Sequence, residues 1–201
     1  MLHIYDKQNL VFIILFVCII KKTIGKIDDG YYWRDYDGVI PRDALAGGLD
    51  ENGEPIYIGQ VLYYDKLLPA KIYPYDKNAY YTWGTEYSTR ENVKILCTPY
   101  PEKLRWVDTK KDELHLLINT HLVKGGFEPV YDIYIGRGFH KMQTLVGRIR
   151  AGNAPHLNIG LYVSVPSKEV IVPSFQVLTY DPNYYEPVSN RTCSRNILLK
   201  T

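Results

Sequence analysis

Long apolar runs are nearly missing from this chain of 201 residues: the single unbroken one is Leu10 to Ile20, "LVFIILFVCII". At 11 residues it falls short of the roughly 20 that a helix needs to cross a bilayer, so it reads as the core of a signal peptide covering residues 1–25. Lys7 precedes the run, and Thr23 and Gly25 are small enough to stand before a cleavage point. Lys21 and Lys22, directly behind it, resemble a stop-transfer flank and support the alternative of an uncleaved membrane anchor.

Charge of one sign is also lacking. Removal of residues 1–25 takes away Asp6, Lys7, Lys21 and Lys22 and leaves 21 bases and 21 acids. A neutral chain without a block of like charge offers no long-range attraction for nucleic acid or an anionic membrane surface, and both are excluded as partners. Cysteine is scarce: with the leader gone, only Cys97 and Cys193 remain. In an oxidising compartment they form either one disulfide or two separate thiols, one of them buried in a core. Asn190-Arg191-Thr192 is an N-glycosylation acceptor if the chain is exported.

Catalytic signatures are missing as well. The five histidines, His3, His115, His121, His140 and His156, have no HExxH spacing, and neither G-x-S-x-G nor a paired Cys motif occurs. An enzyme, a metal site and a cofactor are therefore not expected. No stretch has a convincing amphipathic helical period. The best helical candidate, "KKDELHLLINTHL" from Lys110, is expected to be strand because it opens a segment whose counterpart has no helix.

What the chain does have is one text written twice. "IYIGQVLYYDKLLPAKI" begins at Ile56 and "IYIGRGFHKMQTLVGRI" at Ile133, an offset of 77. Trp33 answers Trp106, "AGGLD" ending at Asp50 answers "KGGFE" ending at Glu128, Glu86 answers Glu169, and "NVKIL" answers "SFQVL". The chain thus divides into residues 32–97 and 104–179, followed by a tail, 180–201, whose start, "YDPNYYEP", reads as extended and laid on the surface. Stretches rich in Ile, Val and Tyr, separated by Gly, Pro, Asn and Asp about every ten residues, predict strands throughout. Gly47-Gly48 and Gly125-Gly126 suggest tight turns with positive φ, and Gly59 and Gly136 suggest a bulge or close approach inside strands.

Trp33, "GVIPRDALAGGLDENGEPIYIGQV", "LLPAKI", "GTEY" and "VKIL" together resemble the DM9 repeat, as found in mannose-binding DM9 lectins and in the N-terminal part of natterin-like proteins. The second copy keeps Trp106, "GGFE", "IYIGR" and "FQVL" but has no "IPxxA". The resemblance implies an all-β fold of two tandem antiparallel repeats related by a pseudo-twofold axis. It also implies a secreted mannose-type lectin acting in innate defence, with glycans as partners and a homodimer as one route to avidity.

The residues that the resemblance assigns to the sugar are Asp50 and Lys71 in the first copy and Glu128 and Arg148 in the second. Glu86 and Glu169 are added as further hydroxyl acceptors. A carboxylate that accepts and an ammonium that donates can grip vicinal sugar hydroxyls. The bland reading is a salt bridge or solvated charges. Tyr75, Tyr80, Tyr81 and Trp83 are candidates to stack on a sugar ring. The chain departs from the family's usual Gly at Ala70, and the alternative function is a structural or protein-interaction module that has lost the sugar.

Overall fold

The computed structural model describes residues 30–117, 119–151 and 160–184. The leader, Asn190 and Cys193 lie outside the described residues, so only Cys97 of the cysteine pair can be located; it is a buried free cysteine.

The first repeat comprises β1 (Tyr32–Asp35), β2 (Ala46–Leu49), β3 (Pro55–Tyr63), β4 (Lys66–Ile72), β5 (Ala79–Thr82), β6 (Glu86–Thr89) and β7 (Val93–Cys97). The second comprises β8 (Leu104–Lys110), β9 (His121–Leu122), β10 (Lys124–Glu128), β11 (Tyr131–His140), β12 (Gln143–Ala151), β13 (Leu161–Val165), β14 (Lys168–Val172) and β15 (Ser174–Tyr180). All pairings are antiparallel, and the chain is all-β, as expected.

Pair registers establish the pseudo-twofold relation residue by residue. Trp33 faces Leu96 and Trp106 faces Leu178; Ile58 faces Lys71 and Ile135 faces Arg148; Thr82 faces Glu86 and Ser164 faces Glu169. The repeats do not sit side by side but exchange an edge. Leu49 of β2 pairs with Thr144 of β12, and Phe127 of β10 pairs with Leu67 of β4. The pairings therefore close into a ring, β2–β3–β4–β10–β11–β12 and back to β2. Ring closure removes free strand edges from the centre of the molecule.

The Gly-Gly pairs belong to this seam and not to turns. None of the four is among the positive-φ glycines; they lie within β2 and β10, where each strand carries a bulge at the pair. A Cβ on Gly48 would sit 1.9 Å from the Thr144 carbonyl oxygen, and one on Gly126 would sit 1.8 Å from that of Leu67. Backbone from the other repeat fills the place of a side chain. Reciprocal hydrogen bonds lock the seam: Gln60 Nε2 donates to the Gly125 carbonyl at 2.7 Å, and its counterpart Arg137 donates to the Gly47 carbonyl at 3.3 Å. Gly59 and Gly136 carry no bulge; side chains of Ile72 and Ile149 close over them.

The segment after β8 also differs from expectation. Among the described residues its one regular piece before β9 is a 3-10 turn, Leu114–Leu116, that buries Leu114. The Lys111 amide turns back to the Pro173 carbonyl at 3.0 Å and ends the strand. On its other edge β15 is already taken by β11 at Gln176 and Val177, leaving Thr179 and Tyr180 to pair with β9. A longer strand there has nothing to bond to. The tail likewise begins with a turn at Pro182 and Asn183 and not with extended chain, and it puts the Tyr184 ring 3.7 Å from the Arg105 guanidinium.

Two apolar clusters form the core. The larger holds Ile56, Ile58 and Leu96 with most of the second repeat's buried side chains. The smaller is built from the first repeat and includes Val61, Leu68, Ala70, Ile72 and Ile95, with Ala70 accommodated in the packing. Trp33 and Trp106 pack against the larger cluster as anchors. No helix of the described residues is long and apolar enough to cross a membrane.

Candidate functional site

Among the described residues four charged side chains are almost fully buried: Asp50 at 5% exposure, Lys71 at 3%, Glu128 at 5% and Arg148 at 4%. Ionised groups rarely go inside unless they are paired, and these are the four residues at the repeated acid and base positions. The strands explain the placement. Lys71 on β4 and Arg148 on β12 follow the same register opposite buried isoleucines, and both reach toward the opposite repeat.

The two copies have built different things from the same frame. In the second, the Arg148 guanidinium donates to Glu128 Oε1 at 2.7 Å and to Glu169 Oε2 at 3.0 Å. Its faces are covered by the rings of Tyr162 at 4.1 Å and Trp83 at 5.0 Å. Glu169 in turn accepts from Thr82 Oγ1 at 2.9 Å and the Gly84 amide at 3.2 Å, both in the first repeat. Arg150 approaches Glu128 at 3.9 Å. The guanidinium is enclosed, and only its Nε lacks a partner.

In the first copy the acid and base at these positions stay apart. Asp50 makes no ion pair with Lys71. Its Oδ1 accepts from the Asn52 amide at 2.8 Å and the Glu54 amide at 2.9 Å, and its Oδ2 accepts from the Tyr75 hydroxyl at 3.1 Å. Burial raises the Asp50 carboxyl, but the amide and hydroxyl hydrogen bonds outweigh it and hold the group below its ordinary range. The same contact, after burial, pushes the Tyr75 hydroxyl up to about 12.

Lys71 Nζ donates to the Ser164 carbonyl at 2.7 Å and lies 3.6 Å from Glu86 Oε1. Burial pulls its pKa down against the raising influence of Glu86. The Tyr73 ring lies 5.6 Å from the ammonium. Lys71 lines a pocket of about 350 Å3. The first repeat lines it with Lys71, Tyr73, Tyr80 and Glu86; the second contributes His140, Lys141, Gln143, Leu145, Val165, Pro166 and Lys168.

Of the sequence-predicted residues, the structure thus brings Lys71 and Glu86 to one pocket, gathers Glu128, Arg148 and Glu169 into one ion-pair cluster, and leaves Asp50 outside the pocket lining. Of the aromatic candidates, Tyr80 lines the pocket, Tyr75 is exposed beside Asp50, Tyr81 is buried in the smaller cluster, and Trp83 covers Arg148. Sequence reasoning missed every pocket residue from the second repeat, because they join the first-repeat site only through the exchanged edge. The Gly-Gly pairs were the one available sign of that exchange.

Besides the ion pairing, one position separates the copies. Tyr80 stands opposite Lys71 and Tyr162 opposite Arg148, so Trp83 and Val165 are counterparts three residues on. Valine lines the open pocket, whereas the indole fills the equivalent space between Arg148 and Lys66, 5.1 Å from the Lys66 ammonium.

Comparison with curated protein sequences found no match. Among solved structures, the nematode sperm cell motility protein MFP2B is similar, with a TM-score of 0.51 and 12% identity over 77% of this chain and 48% of that one. This chain spans about half the length of that protein, and at such identity the likeness is one of fold. The family pattern described as the DM9 repeat matches residues 24–80 and 55–154, and the chain belongs to the DM9 repeat family.

Proposed function

We propose that this protein is a non-catalytic, hexose-binding lectin of the mannose type, with one working site per chain in the pocket between β4–β6 and the β11–β12 and β13–β14 hairpins. The observation that carries the reading is the buried Lys71 ammonium beside Glu86 in the lining of a pocket walled by Tyr73 and Tyr80. A cation that donates next to a carboxylate that accepts serves adjacent sugar hydroxyls, and an aromatic wall suits the apolar face of the ring. Asp50 then acts at one remove, holding Tyr75, whose ring stacks on Tyr73 at 5.4 Å. Glu128, Arg148 and Glu169 form a self-satisfied counterpart that ties the repeats together.

The test is mannose and mannan binding by the parent chain and by Lys71→Met and Glu86→Gln variants whose melting temperatures match the parent. Loss in both variants supports the pocket. Absence of binding by the parent overturns the lectin reading and favours a scaffold in which Lys71 is only a strut to the Ser164 carbonyl.

The reading includes an extracellular setting and a role in recognising microbial glycans, supported by the apolar run at residues 10–20 and the acceptor at Asn190. N-terminal sequencing of exported protein should begin at Lys26; a start at Met1 would support the anchored form.

A further inference from the structure

The pocket holds more positive charge than its one carboxylate can match. Glu86 is matched by Lys71 at 3.6 Å. Lys141 and Lys168, exposed at the ends of two hairpins, have no acidic partner among the described residues, and His140 Nε2, on the same lining, is buried without a hydrogen bond. The counterpart hairpins of the first repeat show what is absent. There Asp65 neutralises Lys66, whereas Met142 stands in place of Asp65; Thr85, in place of Lys168, donates to the Ser167 carbonyl at 3.1 Å. The second repeat has thus put unpaired cations at the mouth of the Lys71 pocket.

We propose that the pocket takes a hexose bearing an anionic substituent, a phosphate, sulfate or carboxylate, with the ring against Tyr73 and Tyr80 and the anion at Lys141 and Lys168 on the side of the pocket that His140 lines. The proposal rests on the lectin reading and narrows its ligand class. Ammonium groups act on such an anion as point charges without strict geometry, so several anions are admitted, and their contribution is screened by salt because both lysines are exposed.

Calorimetric titration of the full chain with mannose, mannose 6-phosphate, mannuronic acid and inorganic phosphate tests it. At low salt the phosphate ester should bind about tenfold tighter than mannose, with the gain shrinking at high salt. In a Lys141→Gln/Lys168→Gln variant of unchanged melting temperature, the ester should fall to the affinity of mannose. Tight binding of the ester but not the uronic acid would identify phosphate as the anion, and the reverse would identify carboxylate. Equal binding of mannose and both acidic sugars overturns the inference and leaves the lectin reading standing. Inorganic phosphate binding as tightly as the ester overturns the hexose part of both, and binding of no probe overturns both.

Discussion

The Trp83 indole of the first repeat lies 5.0 Å from the Arg148 guanidinium of the second. This contact joins the two repeats, and no equivalent indole stands at Val165 beside Lys71. Trp83→Val copies the residue at the open site, Val165. Loss of two cation–π contacts and part of a packed indole should lower the unfolding free energy by about 2 kcal/mol in urea titration. Glycan stoichiometry should stay at one per chain, since Glu128 and Glu169 still hold Arg148; a rise to two would mean that the indole alone closes the second site.

Arg148 and Glu128 should behave as a coupled pair. Arg148→Met leaves a carboxylate at 5% exposure with only the distant Arg150 nearby, at a cost of about 3–5 kcal/mol. The Arg148→Met/Glu128→Gln double variant removes both charges and should be less destabilised than the two single variants summed. Strict additivity in equilibrium unfolding would show that the pair is not an energetic unit.

The seam predicts equal sensitivity in the two copies. Gly48→Ala and Gly126→Ala each drive a methyl group into a carbonyl oxygen of the other repeat, and each should cost about 3 kcal/mol or abolish soluble expression. Gly84→Ala is the control. A Cβ there meets nothing within 4 Å, and only its φ of +76° opposes the change, for about 1 kcal/mol. Melting temperatures of the three variants decide the matter.

Asp50 makes stability depend on acid. Its folded carboxyl titrates below the unfolded one, so its contribution is present above the unfolded pKa and is lost as pH falls through the folded value, below about pH 4. Thermal unfolding across acid pH should show a steeper loss in the parent chain than in Asp50→Asn. Parallel curves would show that the turn at Asn52 and Glu54 does not depend on the ionised form.

Much of this was legible in the sequence because repetition is local text. The recurring "IYIG", the paired tryptophans and the acid and base positions were enough to predict an all-β tandem repeat and to identify Lys71 with Arg148 and Glu86 with Glu169, since strand patterning depends on neighbours along the chain. Sequence also identified Gly-Gly as structurally special, though not the reason: its demand is set by the Thr144 and Leu67 carbonyls of the opposite repeat, and no local rule for positive φ contains that information. Likewise "KKDELHLLINTHL" carries strand and helix signals alike, and the occupied edge of β15 left room only for a 3-10 turn at Leu114–Leu116 and the short β9 at its end.

The site divides the same way. Which residues are charged and repeated is a property of the sequence; whether a charge is sequestered or left facing a cavity depends on side chains brought in from the other repeat. Val165 ends β13 and Trp83 directly follows β5 at the equivalent position, and nothing near either in sequence says that one lines a pocket beside Lys71 while the other covers Arg148. That outcome was decided by the exchange of β2 and β10 between the repeats, which brings side chains of one repeat against the basic residue of the other, Val165 into the lining beside Lys71 and Trp83 onto Arg148.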